Sequence, residues 1–266
     1  MKFRTIGWRN IVMPNRVVST TTAIVLVTLW GAGILFYWMA TPYQTLPTPH
    51  EVATAFGDMW WHHGMGPELG VTLRLIFHAL LLTVVISMLL SYLTVVPLFR
   101  PAVLAVSKLR FLGLTGLVFP FTLWTGGGYE LKVALLTFGM VSFFVTSMAQ
   151  AIIEIPQEAY DHMRVLGASE LRIVYEVVVR GTLDKALDVM RQNVAIGWAM
   201  ITMVEGISRS EGGIGALILN QNKHFRLAEV YALLFLILGI GLLIDYGVGV
   251  LIRLLCPYSV LERVKR

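Results

Sequence analysis

The sequence is short of charge. Asp, Glu, Lys and Arg make up 14% of its 266 residues, against roughly a quarter in an average soluble domain. Hydrophobic residues make up 56% and the mean hydropathy is +0.73, which excludes an ordinary soluble domain and defines an integral membrane protein. Cysteine is nearly missing: Cys256 stands alone, so no intrachain disulfide holds the fold, and it reads as a buried thiol. No G-x-x-x-x-G-K-[ST] phosphate loop occurs, so the chain has no such nucleotide site of its own. The spans offer His78, Asp188, Glu205 and Asp245 without repeated ligand spacing, which argues against an intramembrane enzyme built on converging acid, base or metal. Paired inverted repeats of broken helices, the mark of many secondary transporters, are not detectable either.

What is present is apolar length. A span across ~30 Å of hydrocarbon needs about 20 residues, and the sequence predicts six, at about 18–40, 70–96, 102–124, 131–153, 186–207 and 228–252. The fold class is therefore all-α and polytopic. Residues 1–17 precede the membrane domain (18–255) and 256–266 follow it. The first run is too long for a signal-peptide core and reads as a retained span. The third, KLRFLGLTGLVFPFTLW, is interrupted by Gly113, Gly116 and Pro120. Such breaks survive where neighbouring helices satisfy the freed backbone, so it is expected in the bundle interior.

The net charge of +5 and pI near 9.4 mark orientation rather than nucleic acid. With both termini inside, sixteen Lys and Arg fall on the inner side and five on the outer, as the positive-inside rule requires of cytoplasmic termini.

One polar island, EAYDHMRVLGAS at 158–169, then lies in the cytoplasm between the fourth and fifth spans. Pro156 suits the first turn of a helix and Gly167 its end. Ala159, Met163 and Leu166 recur at helical spacing as a narrow apolar stripe, with Glu158, Asp161, His162 and Arg164 pointing elsewhere. Ser169 suits the cap of a second helix and Glu170 its first turn, and Leu171, Val174, Tyr175 and Val178 predict another stripe before Gly181. Periodicity leaves two uses open, a protein docking element or a linker lying on lipid headgroups.

The spacing narrows this. Asp161-His162-Met163, three residues, Gly167-Ala168-Ser169, then Val177-Val178-Val179-Arg180 resembles the EAA loop of ABC importer permeases of the binding-protein-dependent type. That pattern runs Glu-Ala-Ala, three residues, Gly, nine residues, Ile, any residue, Leu-Pro. Here Asp161 stands for Glu, His162 and Met163 for the two Ala, and Val179-Arg180 for Leu-Pro. The likeness extends over roughly 45–255. LPTPHEV at 46–52 and GGIGALI at 212–218 are similar to segments of the nitrate, sulfonate and taurine branch, and Glu205 falls where that branch places a glutamate.

The resemblance implies a type I ABC importer permease fold of about six transmembrane helices, in the bacterial inner membrane and without catalysis of its own. It makes the 156–168 helix a coupling helix. Glu158, Ala159, Asp161, Met163, Arg164, Leu166, Gly167, Ala168 and Ser169 would dock on separate ATPase subunits, which bind the ATP and Mg. It implies no cofactor in this chain, a second permease copy or paralogue, and a periplasmic or lipid-anchored solute-binding protein. The solute would be small and anionic. Outside this family, the alternative is a channel or secondary-transporter subunit whose loop binds lipid.

Candidates for a translocation path or gate are Asn193, Trp198 and Glu205 of the fifth span and Arg209 beyond it. At about 100° per residue they do not share one face, so only a subset lines a path. Glu205 with Arg209, spaced i,i+4, is either a rim salt bridge or part of a gate. Trp198 reads as packing, and Asp245 as the partner of a neighbouring helix. His50, Glu51, His62 and His63 have no convergent spacing and read as solvated or interfacial, not as a metal site. HEVATAFGDMWW predicts an outer amphipathic segment with Trp60 and Trp61 at headgroup depth. TGGGYE at 125–130 predicts a tight turn, not a phosphate cradle.

Overall fold

The structure is a computed structural model and describes residues 19–40, 46–208 and 211–255. Arg209, Cys256 and the segments 1–17 and 256–266 lie outside the described residues. The described elements are helical: α1 (Thr20–Ala40), α2 (Pro49–Trp61), α3 (Met65–Leu93), α4 (Arg100–Lys108) continued by a 3-10 turn (Leu109–Phe111), α5 (Leu114–Thr125) and α6 (Gly128–Ile153). Then come α7 (Gln157–Val165), α8 (Glu170–Ile173) continued by a π-helical turn (Val174–Arg180), α9 (Leu183–Ile207), α10 (Ile214–Lys223) and α11 (Leu227–Leu255).

The core is organised around α6. Its most apolar window is 72% buried, against 28% for α3, 11% for α11 and none for α1. Leu131, Leu135, Leu136 and Met140 of α6 pack with Leu75, Ile76 and Ala79 of α3 and Trp198, Ile201 and Val204 of α9. Between membrane helices the solvent is itself apolar, so close packing and interhelical hydrogen bonds replace the hydrophobic drive. Gly197 shows how close: a Cβ there would lie 2.7 Å from Met140 Sδ and 3.0 Å from Ile76 Cδ1.

α2 is the expected amphipathic segment. Thr48 and Glu51 form a reciprocal capping box with Pro49 in the first turn, which fixes its start. Val52 and Met59 are buried, and Trp61 is 78% exposed. The tri-glycine turn also forms as read, with φ of +77° at Gly126, +95° at Gly127 and +64° at Gly128, a region that L side chains avoid.

Two expectations about the third span are corrected. It is not one straight helix: Arg100–Phe111 and Leu114–Thr125 are bent by 114° at the break. Leu112 and Gly113 are extended there (ψ 124° and 128°), while Pro120 sits inside α5 without ending it. Nor is it interior, since Leu114 is the buried residue of α5 and Phe119, Leu123 and Trp124 are exposed. Among the described residues, four helices are long and apolar enough to cross a membrane, five if the bent pair is one span. The predicted 186–207 span coincides with the helix α9, whose 25 residues extend about 37 Å at 1.5 Å per residue, but it carries Asp184, Lys185, Asp188, Arg191 and Glu205 and is not one of these apolar helices.

Candidate functional site

The loop between α6 and α9 is held by local chemistry. Pro156 is the N-cap of α7 rather than a residue of its first turn (φ −67°, ψ 143°). At the other end Gly167 takes φ +75°. The Gly167 N–H donates to Arg164 O at 2.9 Å and the Ala168 N–H to Met163 O at 3.1 Å, the two crossed bonds of a Schellman stop. Arg164 then staples the two helices, donating to Asp161 at 3.0 Å and with two nitrogens to Glu170 at 3.0 and 3.3 Å.

The hydrogen bonds from Arg164 hold the Glu170 carboxyl below its ordinary value of 4.5. A depressed carboxylate stabilises the folded loop above the ordinary carboxylate range and loses that contribution as pH falls through the lowered value. The α7–α8 connection is therefore expected to loosen on acidification, seen as faster backbone hydrogen exchange at 164–170. Glu170→Gln is expected to show the loosened exchange already at neutral pH and to lose the acid dependence.

Two details of the second helix are corrected. Ser169 occupies the N-cap position but its side chain makes no capping bond. Leu171, Val174, Tyr175 and Val178 do not form one stripe: Leu171 is 86% exposed, and the buried residues are Ile173 and Val178. The π turn explains this. Its i→i+5 bonding, seen in Gly181 N–H to Glu176 O at 3.1 Å, aligns residues five apart instead of three or four.

No residue of α7 is buried. Leu166 is 78% exposed, as expected for an anchor, and Val165 and Leu171 stand beside it at 87% and 86%. Ala159, Met163 and Ala168 are half-buried, while Glu158, Asp161, Arg164, Gly167 and Ser169 are exposed. Periodicity passed over Val165 and put Leu171 on the stripe of the second helix, because the helical phase resets at the Gly167 turn that they flank.

At the opposite end of the bundle lies a buried polar latch. Glu205 accepts hydrogen bonds from Thr72 Oγ1 and from the Gly215 N–H, each at 2.7 Å. Thr72 Oγ1 in turn accepts the Ile214 N–H at 2.9 Å, Glu68 accepts the Gly213 N–H, and Lys132 donates to Gly212 O at 2.9 Å. Glu205 and Lys132 are fully buried. Four successive residues, 212–215, are thus tied to α3, α6 and α9. Glu68, Thr72 and Lys132 were not singled out by sequence reasoning; at span edges they read only as topology.

Asn193 and Trp198 are also spent on helix contacts. With its amide oriented to satisfy both partners, Asn193 donates to Met140 O at 3.0 Å and accepts from the Phe144 N–H at 3.1 Å. Trp198 donates to Ile237 O at 2.9 Å. Asp245 has the neighbouring-helix partner expected of it, Arg191, at 2.6 and 2.7 Å. His62 and His63 both turn to Asp58, at 3.1 and 3.3 Å.

A helical membrane bundle with a central α6 and a rigid exposed loop between α6 and α9 is the architecture of a membrane transport subunit. More particularly, the chain belongs to the family of binding-protein-dependent transport system inner membrane components, the permeases of ABC importers, whose family model matches residues 70–255. It is 24% identical to the taurine transport system permease protein TauC of Escherichia coli (strain K12), over 96% of this chain and 94% of that one. It is 24% identical to the bicarbonate transport system permease protein CmpB of Synechocystis, over 43% of each. Two inward-facing structures of the MetNI methionine ABC transporter match 74% of this chain and 97% of theirs, at 20% and 19% identity and TM-scores of 0.63 and 0.64, a likeness of fold.

Proposed function

We propose that this chain forms the translocation path of an ATP-driven importer of small anionic solutes and is driven through its α7–α8 loop. One observation carries this reading. Val165, Leu166 and Leu171 are exposed at the turn of a loop that Arg164 and Gly167 make rigid. An apolar tip on a braced helix suits a groove in a partner and transmits a rigid-body push. ATP and Mg belong to that partner, a pair of ATPase subunits, and nucleotide-driven closure shifts the population between access states. The full set includes a second permease copy or paralogue and a periplasmic or lipid-anchored binding protein, in the bacterial inner membrane with both termini cytoplasmic. Likeness to a taurine and a bicarbonate permease supports an anionic solute.

Asn193, Trp198 and Glu205 then serve the path by fixing the helices around it. The test is co-purification of the chain with the ATPase subunit encoded beside it. Leu166→Asp is expected to abolish the complex while insertion and yield persist, and equal recovery from mutant and wild type overturns the coupling assignment.

A further inference from the structure

Arg191 and Asp245 pair well inside the length of their helices. Arg191 is eight residues into α9, about 12 Å from its start, and Asp245 is ten residues before the end of α11. Nevertheless the pair is not enclosed, with side chains 37% and 44% exposed. Charged groups at such a depth do not face hydrocarbon; they face a bundle interior or water.

The adjoining surface agrees. Asp188, Gln192, Ala195, Ala199 and Met203 fall within an arc of about 80° on α9, at 100° per residue. Gln192, Ala195, Ala199 and Met203 are exposed and Asp188 is half-exposed. The open face of α3 carries Phe77, Leu81, Val85 and Leu89 along most of its length, with exposed Arg74 and His78 nearer its start. Next to Arg191 the exposed strip of α9 carries the polar Asp188 and Gln192, which suit a water-lined surface, and beyond them Ala195, Ala199 and Met203.

The guanidinium is only half used. Nε bonds Asp245 Oδ1 and Nη2 bonds Oδ2, leaving the Nη1 side unbonded to Asp245. Gly249 packs over the guanidinium, where a Cβ would be 3.4 Å from both Cζ and Nη1 and 3.6 Å from Nη2. A guanidinium whose Nε–Nη2 edge is fixed keeps Nη1–H donors that Asp245 does not use, of the kind that receive a carboxylate, sulfonate or bicarbonate oxygen.

We infer that Arg191, held by Asp245, is an oxoanion station in the aqueous path along α9. The proposal rests on the importer reading above. Asp245 is a positioning residue: it aims the fork and keeps the resting charge low, so an anion is held briefly. Asp188, also within electrostatic reach of Arg191, disfavours deeper trapping.

The test uses the complex with its ATPase in proteoliposomes and a Cys256→Ser background, since that cysteine is the only one. Ala195→Cys, one turn from Arg191, is challenged with two membrane-impermeant thiol reagents, 2-sulfonatoethyl and 2-trimethylammonioethyl methanethiosulfonate. Both are expected to react, the sulfonate faster relative to its rate on free cysteine. Adding Arg191→Gln should lower the sulfonate-to-ammonium ratio by about tenfold, the effect of removing one near charge in a medium of intermediate dielectric. Adding Asp245→Asn instead should raise it. Gln192→Cys repeats the measurement if Ala195→Cys fails to assemble, and Phe77→Cys should resist both reagents. A ratio indifferent to Arg191, or cysteines at 192 and 195 that never react, overturns the station. Failure of the wild-type chain to hold its ATPase would instead overturn the importer reading.

Discussion

Gly215→Ala is expected to abolish the folded permease. A Cβ at 215 would fall on the backbone of Thr202, against its carbonyl oxygen and 2.7 Å from its Cα. Neither contact is the loose end of a side chain. The start of α10 would have to leave α9, taking the Gly215 and Ile214 N–H groups from Glu205 and Thr72. Each buried donor left without an acceptor costs about 1–3 kcal/mol, and losing several approaches the ~5–15 kcal/mol that holds a typical domain together.

Glu205→Leu should fail for the same reason from the other side, stripping acceptors from Thr72 and Gly215, while Glu205→Gln keeps an acceptor oxygen and should survive. Gly239→Ala, where a Cβ meets nothing within 4 Å, is the silent control. The measurement is the fraction of monodisperse protein after detergent extraction and heating. Wild-type behaviour of Gly215→Ala would show that α10 is not latched as described.

The latch also shows what a single sequence can and cannot reveal. Long apolar runs and the Gly167 stop were legible because they depend on local composition and on one backbone angle. GGIGALI was legible as a resemblance, but its physical role was not, because its partners Glu68, Thr72 and Lys132 lie 147, 143 and 83 residues from Gly215. Asn193, Trp198 and Glu205 were rightly seen as exceptional polar side chains in a span. Their partners, on α6, α11 and α3 with α10 respectively, come from three directions that periodicity on one helix cannot supply. The bend before α5 was legible only in part. Gly113, Gly116 and Pro120 were all candidate breaks, and the chain turns at Leu112–Gly113 while Gly116 and Pro120 stay helical, leaving α5 at the periphery with Leu114 as its buried residue.

The loop gives the second large effect. Val165, Leu166 and Leu171 are each more than three-quarters exposed, and burying such a side chain in a partner is worth roughly 1.5–3 kcal/mol. Leu166→Asp removes that gain and adds the cost of desolvating a carboxylate, so ATPase affinity should fall by at least about a hundredfold, at 1.4 kcal/mol per tenfold. Val165→Asp and Leu171→Asp should each act in the same direction, although Val165 lies off the stripe that helical spacing predicts for α7 and Leu171 was placed on the stripe of the second helix. Met163→Asp should weaken binding less directly, because Met163 is half-buried beneath the tip and its loss disturbs the brace rather than the contact. Gly167→Ala separates shape from surface. Its Cβ meets nothing within 4 Å, so the cost is confined to the φ of +75°, about 1–2 kcal/mol for an L residue in that region. The permeases can be ranked by pull-down against increasing ATPase concentration. If Leu166→Asp and Gly167→Ala weaken binding equally, the loop acts through its rigidity, and the apolar tip is not the contact.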